Sequence, residues 1–293
     1  MKGQWTHRGG TSTYTYDNFA VFFHGDRIWI GGKEYPVGQC TVDIMNVDTS
    51  VLNKIEDLIL DIIPAALTLL TEKTDRAAAL AQERLNAVWD IMFTLPVYRD
   101  LPLDREGCYH AFPMLMADEE KWMALQDPTS KCYAKYQAKL RGLAFFIRDL
   151  RELRGQIAGM SQGHFGLSEP DKGNPPSMVR TRFYSDALSQ SARNFVEISQ
   201  QCCHPEADYI DMPHPTQVGE TIAAERLIFT NLVDFLREDF YRGLTFNRTP
   251  RKCCNPACGK FFLHTGGKSI RYCDNIAPGE TERTCRMVAA QSE

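Results

Sequence analysis

Residues 251–286 read RKCCNPACGKFFLHTGGKSIRYCDNIAPGETERTCR and carry five of the ten cysteines of the chain. Four of them are spaced for one closed tetrahedral site, formed by Cys253 or Cys254 together with Cys258, Cys273 and Cys285. Thiolates are soft ligands, and a structural zinc site takes four protein ligands with no position left for water. The segment therefore predicts Zn2+ as its cofactor. The spacing leaves the first ligand open, because normally only one of two adjacent side chains can point at the same ion.

The residues around the second ligand are typical of a metal-binding turn. In the run 255–260, NPACGK, backbone N–H groups can point at the first thiolates, and Gly259 permits a left-handed conformation after Cys258. Phe261 and Phe262 favour a β-strand that packs over the metal, and His264 is a weaker substitute ligand. A segment of this size cannot bury enough apolar surface to fold unaided, so we expect the metal to supply its folding energy.

The start of the chain favours a small β region. Residues 18–30, NFAVFFHGDRIWI, hold two β-rich runs around HGD, which is a hairpin pattern. The run KEYPVG at 33–38 adds a short third strand.

The middle of the chain has mostly helical periodicity. The predicted helices are 51–63, 75–92, 129–159, 179–203 and 217–242. Asp48 or Thr49 can cap the first of them, and Pro64 should kink or interrupt it. Between the last two, DYI at 208–210 predicts a short strand.

These patterns predict an α+β fold that is mostly α-helical. We expect an N-terminal β-hairpin region at residues 1–46, a helical body at 47–246, and a C-terminal zinc-knuckle module, resembling a treble clef, at 247–293. The Gly-, Pro- and Ser-rich stretch 161–178 is the predicted internal loop.

Length, composition and charge exclude several classes of protein. The chain has 293 residues, of which 43% are hydrophobic and 24% charged, and a net charge of −4. These values argue against wholesale disorder and against a wholly cationic nucleic-acid coat. The sequence has no uncharged apolar run of about 18 residues, and its first residues, MKGQWTHRGG, lack the apolar core of a secretory signal. We therefore expect a cytoplasmic protein with no membrane partner.

The charge is unevenly distributed. Residues 241–293 carry nine basic and four acidic side chains, a net charge of +5, whereas the residues before them carry −9. A basic end on an acidic body directs any contact with a polyanion to that end. The residues predicted to contact phosphates of DNA or RNA are Arg248, Arg251, Lys252, Lys260, Lys268 and Arg271.

Two alternatives apply to the side chains near the cysteines. Basic residues there could instead offset the negative charge of a zinc ion bound by four thiolates, as we consider for Lys260 and Arg271. Phe261, Phe262 and Tyr272 could stack on bases or form the apolar cover of the metal, and we favour the cover.

Three further groups are candidates for chemistry. A second metal site is offered by Cys202, Cys203, His204 and His214. Cys108 and His110 could form a nucleophilic dyad, although nothing in the sequence orients the histidine. A set of acids assigned to one predicted helix forms either a solvated face or a general acid–base group: Glu225, Asp234, Glu238 and Asp239.

The cysteine segment resembles the CGNR-type zinc finger of bacterial regulators, in which an Asn-Pro step inside the first cysteine pair precedes Cys-Gly and an aromatic residue. The matching runs are CCNPACGKFF, RYC and CR. This resemblance implies the ligand set Cys253, Cys258, Cys273 and Cys285. The pattern departs at the end, because Arg286 and Met287 stand where Gly-Asn is expected and the gap before Cys285 is longer.

A closer likeness, over about the last 85 residues, is to a family of uncharacterised bacterial proteins. There, too, an acidic and aromatic helix like LVDFLREDFYRGLTF leads into RKC, and YCD is followed by an APG turn and TCR. The likeness does not extend to the first 200 residues.

The resemblance implies nucleic-acid or regulatory binding by association. We predict a cytoplasmic bacterial regulatory or defence-type protein, whose helical body senses or binds a partner and whose zinc module contacts DNA or RNA. One alternative is an interaction or structural protein in which zinc only staples the module to the body. Another is an enzyme with its site in the helical body, and we favour a non-enzyme over it.

Overall fold

The computed structural model describes residues 19–72, 74–101, 103–163, 206–213, 221–229, 232–265 and 270–291. The strands are β1 (Phe19–His24), β2 (Arg27–Ile30), β3 (Lys33–Pro36), β4 (Glu206–Pro213), β5 (Thr221–Phe229), β6 (Thr249–Lys252) and β7 (Phe261–His264). The longer helices are α1 (Gln39–Met45), α2 (Thr49–Glu72), α3 (Asp75–Met92), α7 (Lys131–Gly163) and α8 (Leu232–Thr245). The short helices are α4 (Arg105–Tyr109), α5 (Ala111–Ala117), α6 (Glu119–Leu125) and α9 (Cys285–Ala290), with a 3-10 turn at Tyr98–Asp100. The predicted α+β class with mostly helical content is confirmed.

The described residues form two compact units. One contains Asp48–Asp149, and the other contains Ala20–Val47 together with the described residues from Leu150 onward. The β-hairpin region and the cysteine segment therefore belong to the same unit. The boundaries predicted at residues 46 and 246 stay a proposal.

The larger sheet has the strand order β3-β2-β1-β5-β4. The predicted hairpin is confirmed, with Phe23 opposite Ile28 and a turn through Gly25 at φ 55°. The predicted third strand is confirmed as β3. One face of the sheet buries Trp29, Met212 and Ala224 against each other.

The helix predicted at 217–242 is wrong in its first half. Residues Thr221–Phe229 form β5, which pairs antiparallel with β4 and lies beside β1 in the sheet. The local sequence IAAERL favours a helix, but pairing with strands far away in sequence overrides that preference. Only the second half is helical, as α8, so Glu225 lies on a strand and not beside Asp234, Glu238 and Asp239.

The first long helix continues through Pro64 to Glu72, so the predicted interruption is wrong. Proline removes one hydrogen bond, the one that the carbonyl of Leu60 would accept. Leu60 is 62% exposed, and Pro64 is exposed as well. Water can therefore satisfy this carbonyl, and the helix continues. The predicted cap is confirmed, because Asp48 accepts a hydrogen bond from the backbone N–H of Ser50 at 2.7 Å.

A buried carboxylate from α8 caps α1. The residue before α1, Gly38, has no side chain to cap it. Asp239 instead accepts hydrogen bonds from the N–H of Gly38 at 2.6 Å and from the N–H and hydroxyl of Thr41, each at 2.8 Å. Burial raises the pKa of Asp239 to about 6, although these donors favour its ionised form. Asp239 is thus a structural cap, with no exposed face for acid–base chemistry.

Within the described part of the chain, none of the helices has the length and hydropathy needed to cross a membrane. The helix predicted at 179–203 and most of the loop predicted at 161–178 lie outside the described residues.

Candidate metal centre

The cysteine segment is built on a two-stranded hairpin. Strands β6 and β7 pair antiparallel, with Lys252 opposite Phe261 at one end and Thr249 opposite His264 at the other. Cys253 follows β6 directly, and Cys258 lies in the turn before β7. Cys273 comes from residues 270–284, here called the return segment, and Cys285 is the first residue of α9. Four separate points of the segment therefore converge.

The structure brings together the four predicted ligands. The Sγ atoms of Cys253, Cys258, Cys273 and Cys285 all lie within 4.8 Å of one another. The Sγ atoms of Cys258 and Cys273 are 3.7 Å apart, too far for a disulfide bond. A tetrahedral zinc ion with Zn–S bonds of about 2.3 Å requires sulfur–sulfur edges of about 3.8 Å. The geometry and the soft donor set fit a closed four-thiolate metal site.

Backbone hydrogen bonds fix the turn that carries the first two cysteines. The N–H of Cys253 donates to the carbonyl of Lys260 at 2.8 Å, and the N–H of Cys258 donates to the carbonyl of Asn255 at 3.0 Å. Gly259 has φ 63°, the left-handed conformation expected after the second ligand. The predicted turn with a left-handed glycine after Cys258 is therefore confirmed, and its role as a zinc knuckle stays a prediction.

The return segment is tied to this turn and to α9. The N–H of Cys254 donates to the carbonyl of Arg271 at 2.9 Å, and the N–H of Arg286 donates to the carbonyl of Cys273 at 3.2 Å. The N–H of Cys273 points at the Sγ atom of Cys253 at 3.4 Å. Thr284 caps α9 by accepting from the N–H of Met287, which places Cys285 at the start of the helix.

Burial sets the protonation of the cysteines. It raises the pKa of Cys253 to about 12, and it raises the pKa of Cys285 even though Asn255 donates a hydrogen bond to that sulfur. For Cys273, burial acts in the same direction, but hydrogen bonds from Asn275 and from neighbouring thiols outweigh it and lower the pKa. Three of these cysteines are buried and Cys258 is half-buried. Four thiolates this close together need a cation beside them, so metal binding at this site would release protons.

The two adjacent cysteines differ in position. Cys253 is buried and belongs to the cluster, whereas Cys254 is half-buried and does not. His264 lies at the end of the hairpin away from the turn, and it is not part of the cluster.

The aromatic residues cover the cluster. Phe262 and Tyr272 pack against the buried core formed by Cys253, Cys273 and Cys285. Phe261 is buried, and its backbone exchanges hydrogen bonds of 2.7 and 2.9 Å with the side chain of Asn46. The placement of Phe262 and Tyr272 agrees with an apolar cover over the site, which is the role we favoured, whereas Phe261 is not among the residues packed against the cluster.

The predicted phosphate-contacting residues fall into different environments. Lys252, Lys260 and Arg271 are exposed. Arg248 forms an ion pair with Asp26. Arg251 is half-buried, and its Nε atom is buried without a hydrogen-bond partner among the described residues. Lys268 lies outside the described residues.

The other candidate groups are not assembled into sites by the described residues. The Nδ1 atom of His110 is 2.9 Å from the carbonyl oxygen of Glu106, and Cys108 is buried. Asp234 is paired with Arg237 at 3.1 Å. The proposed second metal site falls outside the described residues, and its members are Cys202, Cys203, His204 and His214.

Sequence reasoning missed two features of the unit that holds the cysteines. Asn255 contacts the last cysteine, as well as forming the turn. Glu225, Glu238 and Arg242 form an ion-paired group beside a groove. The wrong helix at 221–229 concealed this group, because it put Glu225 on the same helix as its partners.

Comparison with known proteins finds a family model that matches the C-terminal part of the chain. Residues 200–293 match a family model described as a family of unknown function (DUF6076). The match contains all four clustered cysteines and confirms the expected likeness to an uncharacterised family, and this model is not that of the CGNR-type finger. No curated protein and no solved structure matches the chain.

Proposed function

We propose that residues 247–293 form a zinc module that contacts the phosphates of DNA or RNA. One Zn2+ is held by Cys253, Cys258, Cys273 and Cys285, and it supplies the folding energy of the segment. The exposed basic residues around the knuckle provide the contact with nucleic acid. The module belongs to a cytoplasmic bacterial protein of regulatory or defence type, and this last part rests on the resemblance to bacterial regulators alone.

The observation that carries the proposal is the position of three exposed cations. Lys252 precedes Cys253, the carbonyl of Lys260 is bonded to the N–H of Cys253, and the carbonyl of Arg271 is bonded to the N–H of Cys254. Across the residues that the structure describes, none of the three makes an ion pair. Four other arginines of the chain's basic end are paired with acids: Arg242, Arg248, Arg283 and Arg286.

The same three residues favour phosphate contact over a purely local role. If these three residues offset the charge of the thiolates, their ammonium and guanidinium groups would lie close to the sulfur atoms. For the described residues, the hydrogen bonds to the clustered Sγ atoms come from Asn255, from Asn275, from the N–H of Cys273 and from the cysteines themselves. Exposed lysine and arginine side chains are suited to sequence-independent, salt-dependent binding.

The test is fluorescence anisotropy with labelled duplex DNA and with labelled single-stranded RNA. If three phosphates are contacted on the duplex, affinity should fall about 40-fold between about 50 and 200 mM salt. The double variant Lys252→Glu, Lys260→Glu should lose at least about tenfold in affinity. The matched control is Arg283→Glu, Arg286→Glu, which changes the charge of the same module equally at arginines already paired with acids. No binding by the native chain, or an equal loss in both variants, would reject the proposal.

A second candidate function is purely structural, in which zinc only holds the C-terminal module against the rest of its unit. Ser161 donates to the carbonyl of Pro250 at 2.9 Å, and Asn46 is bonded to the backbone of Phe261, so the hairpin is attached to other segments of its own unit. In that case zinc removal should lower the stability of the unit, while the native chain shows no affinity for nucleic acid.

A further inference from the structure

A groove of about 530 Å3 borders the sheet and the last turns of α8, away from the cysteine cluster. Its lining includes Phe23, Tyr209 and Glu225 from the sheet, and Glu238 and Arg242 from α8. The volume lies within the usual range for sites that bind small molecules.

An ion-paired group lies in this groove. The Nη1 atom of Arg242 is 2.7 Å from a carboxylate oxygen of Glu225, and its Nε atom is 2.6 Å from a carboxylate oxygen of Glu238. The guanidinium group also stands 4.0 Å over the ring of Phe23. The guanidinium group of Arg242 is thus contacted by carboxylates at two edges and by an aromatic ring on one face. Two carboxylates and one guanidinium leave the group with one net negative charge.

Exposed aromatic rings stand beside this negative charge. Tyr209 is 77% exposed and lies directly opposite Glu225 in the pairing of β4 with β5. Phe246, just after α8, is 43% exposed. Such exposed rings add little to the hydrophobic core. Next to carboxylates, the faces of aromatic rings attract cations through their quadrupole.

The charges decide which ligand fits. An anion would meet a net negative charge and an arginine that already has two carboxylate partners. A hard metal ion needs several oxygen ligands, and here the guanidinium group is bonded to both carboxylates. An organic cation would satisfy the remaining charge and contact the rings.

We propose that this groove binds an alkylguanidinium or alkylammonium group, carried either by a small molecule or by a basic side chain of a peptide. The carboxylates of Glu225 and Glu238 provide the charge, and Tyr209 and Phe246 provide the aromatic contact. This proposal is independent of the zinc module.

The experiment is isothermal titration calorimetry with four probes. N-butylguanidinium represents a free alkylguanidinium, and an acetylated, amidated Gly-Arg-Gly peptide represents the side chain. N-butylurea is a neutral analogue, and inorganic phosphate is the anion. At least one of the two cations should bind at least about tenfold more tightly than N-butylurea and phosphate. Binding of N-butylguanidinium assigns a small molecule, and binding of the peptide alone assigns a side chain.

Variants distinguish binding in the groove from non-specific electrostatic attraction to the protein. Tyr209→Ala, at an exposed position on the edge strand, should weaken the cation about fivefold, and Glu225→Gln should weaken it more. Glu34→Gln is the control, because Glu34 is an acid paired with Arg27 on the opposite edge of the same sheet. The proposal is overturned if neither cation binds, if the neutral or anionic probe binds equally well, or if Tyr209→Ala binds like the native chain.

Discussion

The side-chain amide of Asn255 donates a hydrogen bond to the Sγ atom of Cys285 across 3.3 Å. The Oδ1 atom of the same side chain accepts from the N–H of Ala257 at 3.1 Å, inside the turn that presents Cys258. Asn255 therefore shapes the turn with its oxygen and orients the last cysteine with its nitrogen. This double contact gives a physical reason for an asparagine at this position.

Removing the amide should weaken metal binding while leaving all four cysteines in place. We expect Asn255→Ala to lower zinc affinity about 10- to 100-fold, as is usual for residues that orient metal ligands. Asn255→Asp should lower it further, because it keeps the acceptor for Ala257 but places a negative charge beside a thiolate. Competition with a chromophoric chelator measures both. Gln291→Ala, which removes an exposed amide of the same module, is the control, and native affinity in Asn255→Asp would contradict the assigned role.

The two adjacent cysteines should differ in their effect on the metal. Cys253→Ser and Cys258→Ser should release zinc and unfold residues 251–286, because each removes one of four ligands. Cys254→Ser should retain the metal, since Cys254 is outside the cluster. Most of the helical circular dichroism should persist in all three variants, because the eight helices α1–α8 precede the segment. Metal loss in Cys254→Ser and not in Cys253→Ser would show that the ligand assignment is inverted.

The cysteine cluster could be predicted from sequence because its information is local. Soft ligands, a glycine after Cys258 and a proline turn before Cys285 all lie within one short segment. The bond from Asn255 to Cys285 could not be predicted, since it depends on how the return segment folds over the turn. The family resemblance predicted correctly that Cys253, and not Cys254, belongs to the cluster. Spacing alone could not decide between these two adjacent cysteines.

The sheet was harder to predict than the helices. The helix Asp75–Met92 was predicted with its observed bounds, because its Ala-, Leu- and Glu-rich sequence needs no distant partner. Strand β5 was missed because its neighbours β1 and β4 decide its conformation. The cap that Asp239 provides for α1 could not be predicted either, because Asp239 and Gly38 are 201 positions apart in the sequence.

Gly38 should tolerate substitution poorly. It has φ 88°, and a Cβ atom there would stand 3.0 Å from the side chain of Leu263 and 3.5 Å from the Cα atom of Gly243. We expect Gly38→Ala to lower the free energy of unfolding by about 2–4 kcal/mol through strain and crowding. Gly32→Ala is the matched control, because Gly32 has φ 82° with no atom near its Cβ position, and it should cost about 1 kcal/mol. Urea denaturation gives both values, and equal losses would contradict the close packing.

The buried carboxylate of Asp239 should make stability depend on pH. Its pKa is raised from 3.8 to about 6, so the folded chain keeps a proton that the unfolded chain has lost. This contribution is full below about pH 4 and is lost as the pH rises through about 6, with a size on the order of 2–3 kcal/mol. The stability of the native chain relative to Asp239→Asn should therefore fall over that range. Urea denaturation at several pH values measures the difference, and parallel curves would contradict the raised pKa.

The proposed zinc module requires one metal ion bound to four sulfur atoms near the C-terminal end of the chain. Metal analysis combined with zinc K-edge X-ray absorption of the purified protein measures both the metal content and the ligands of the metal. We predict one zinc ion per chain, surrounded by four sulfur atoms at about 2.3 Å. A protein that holds no metal after expression with zinc, or a shell with fewer than four sulfur atoms, would contradict the account.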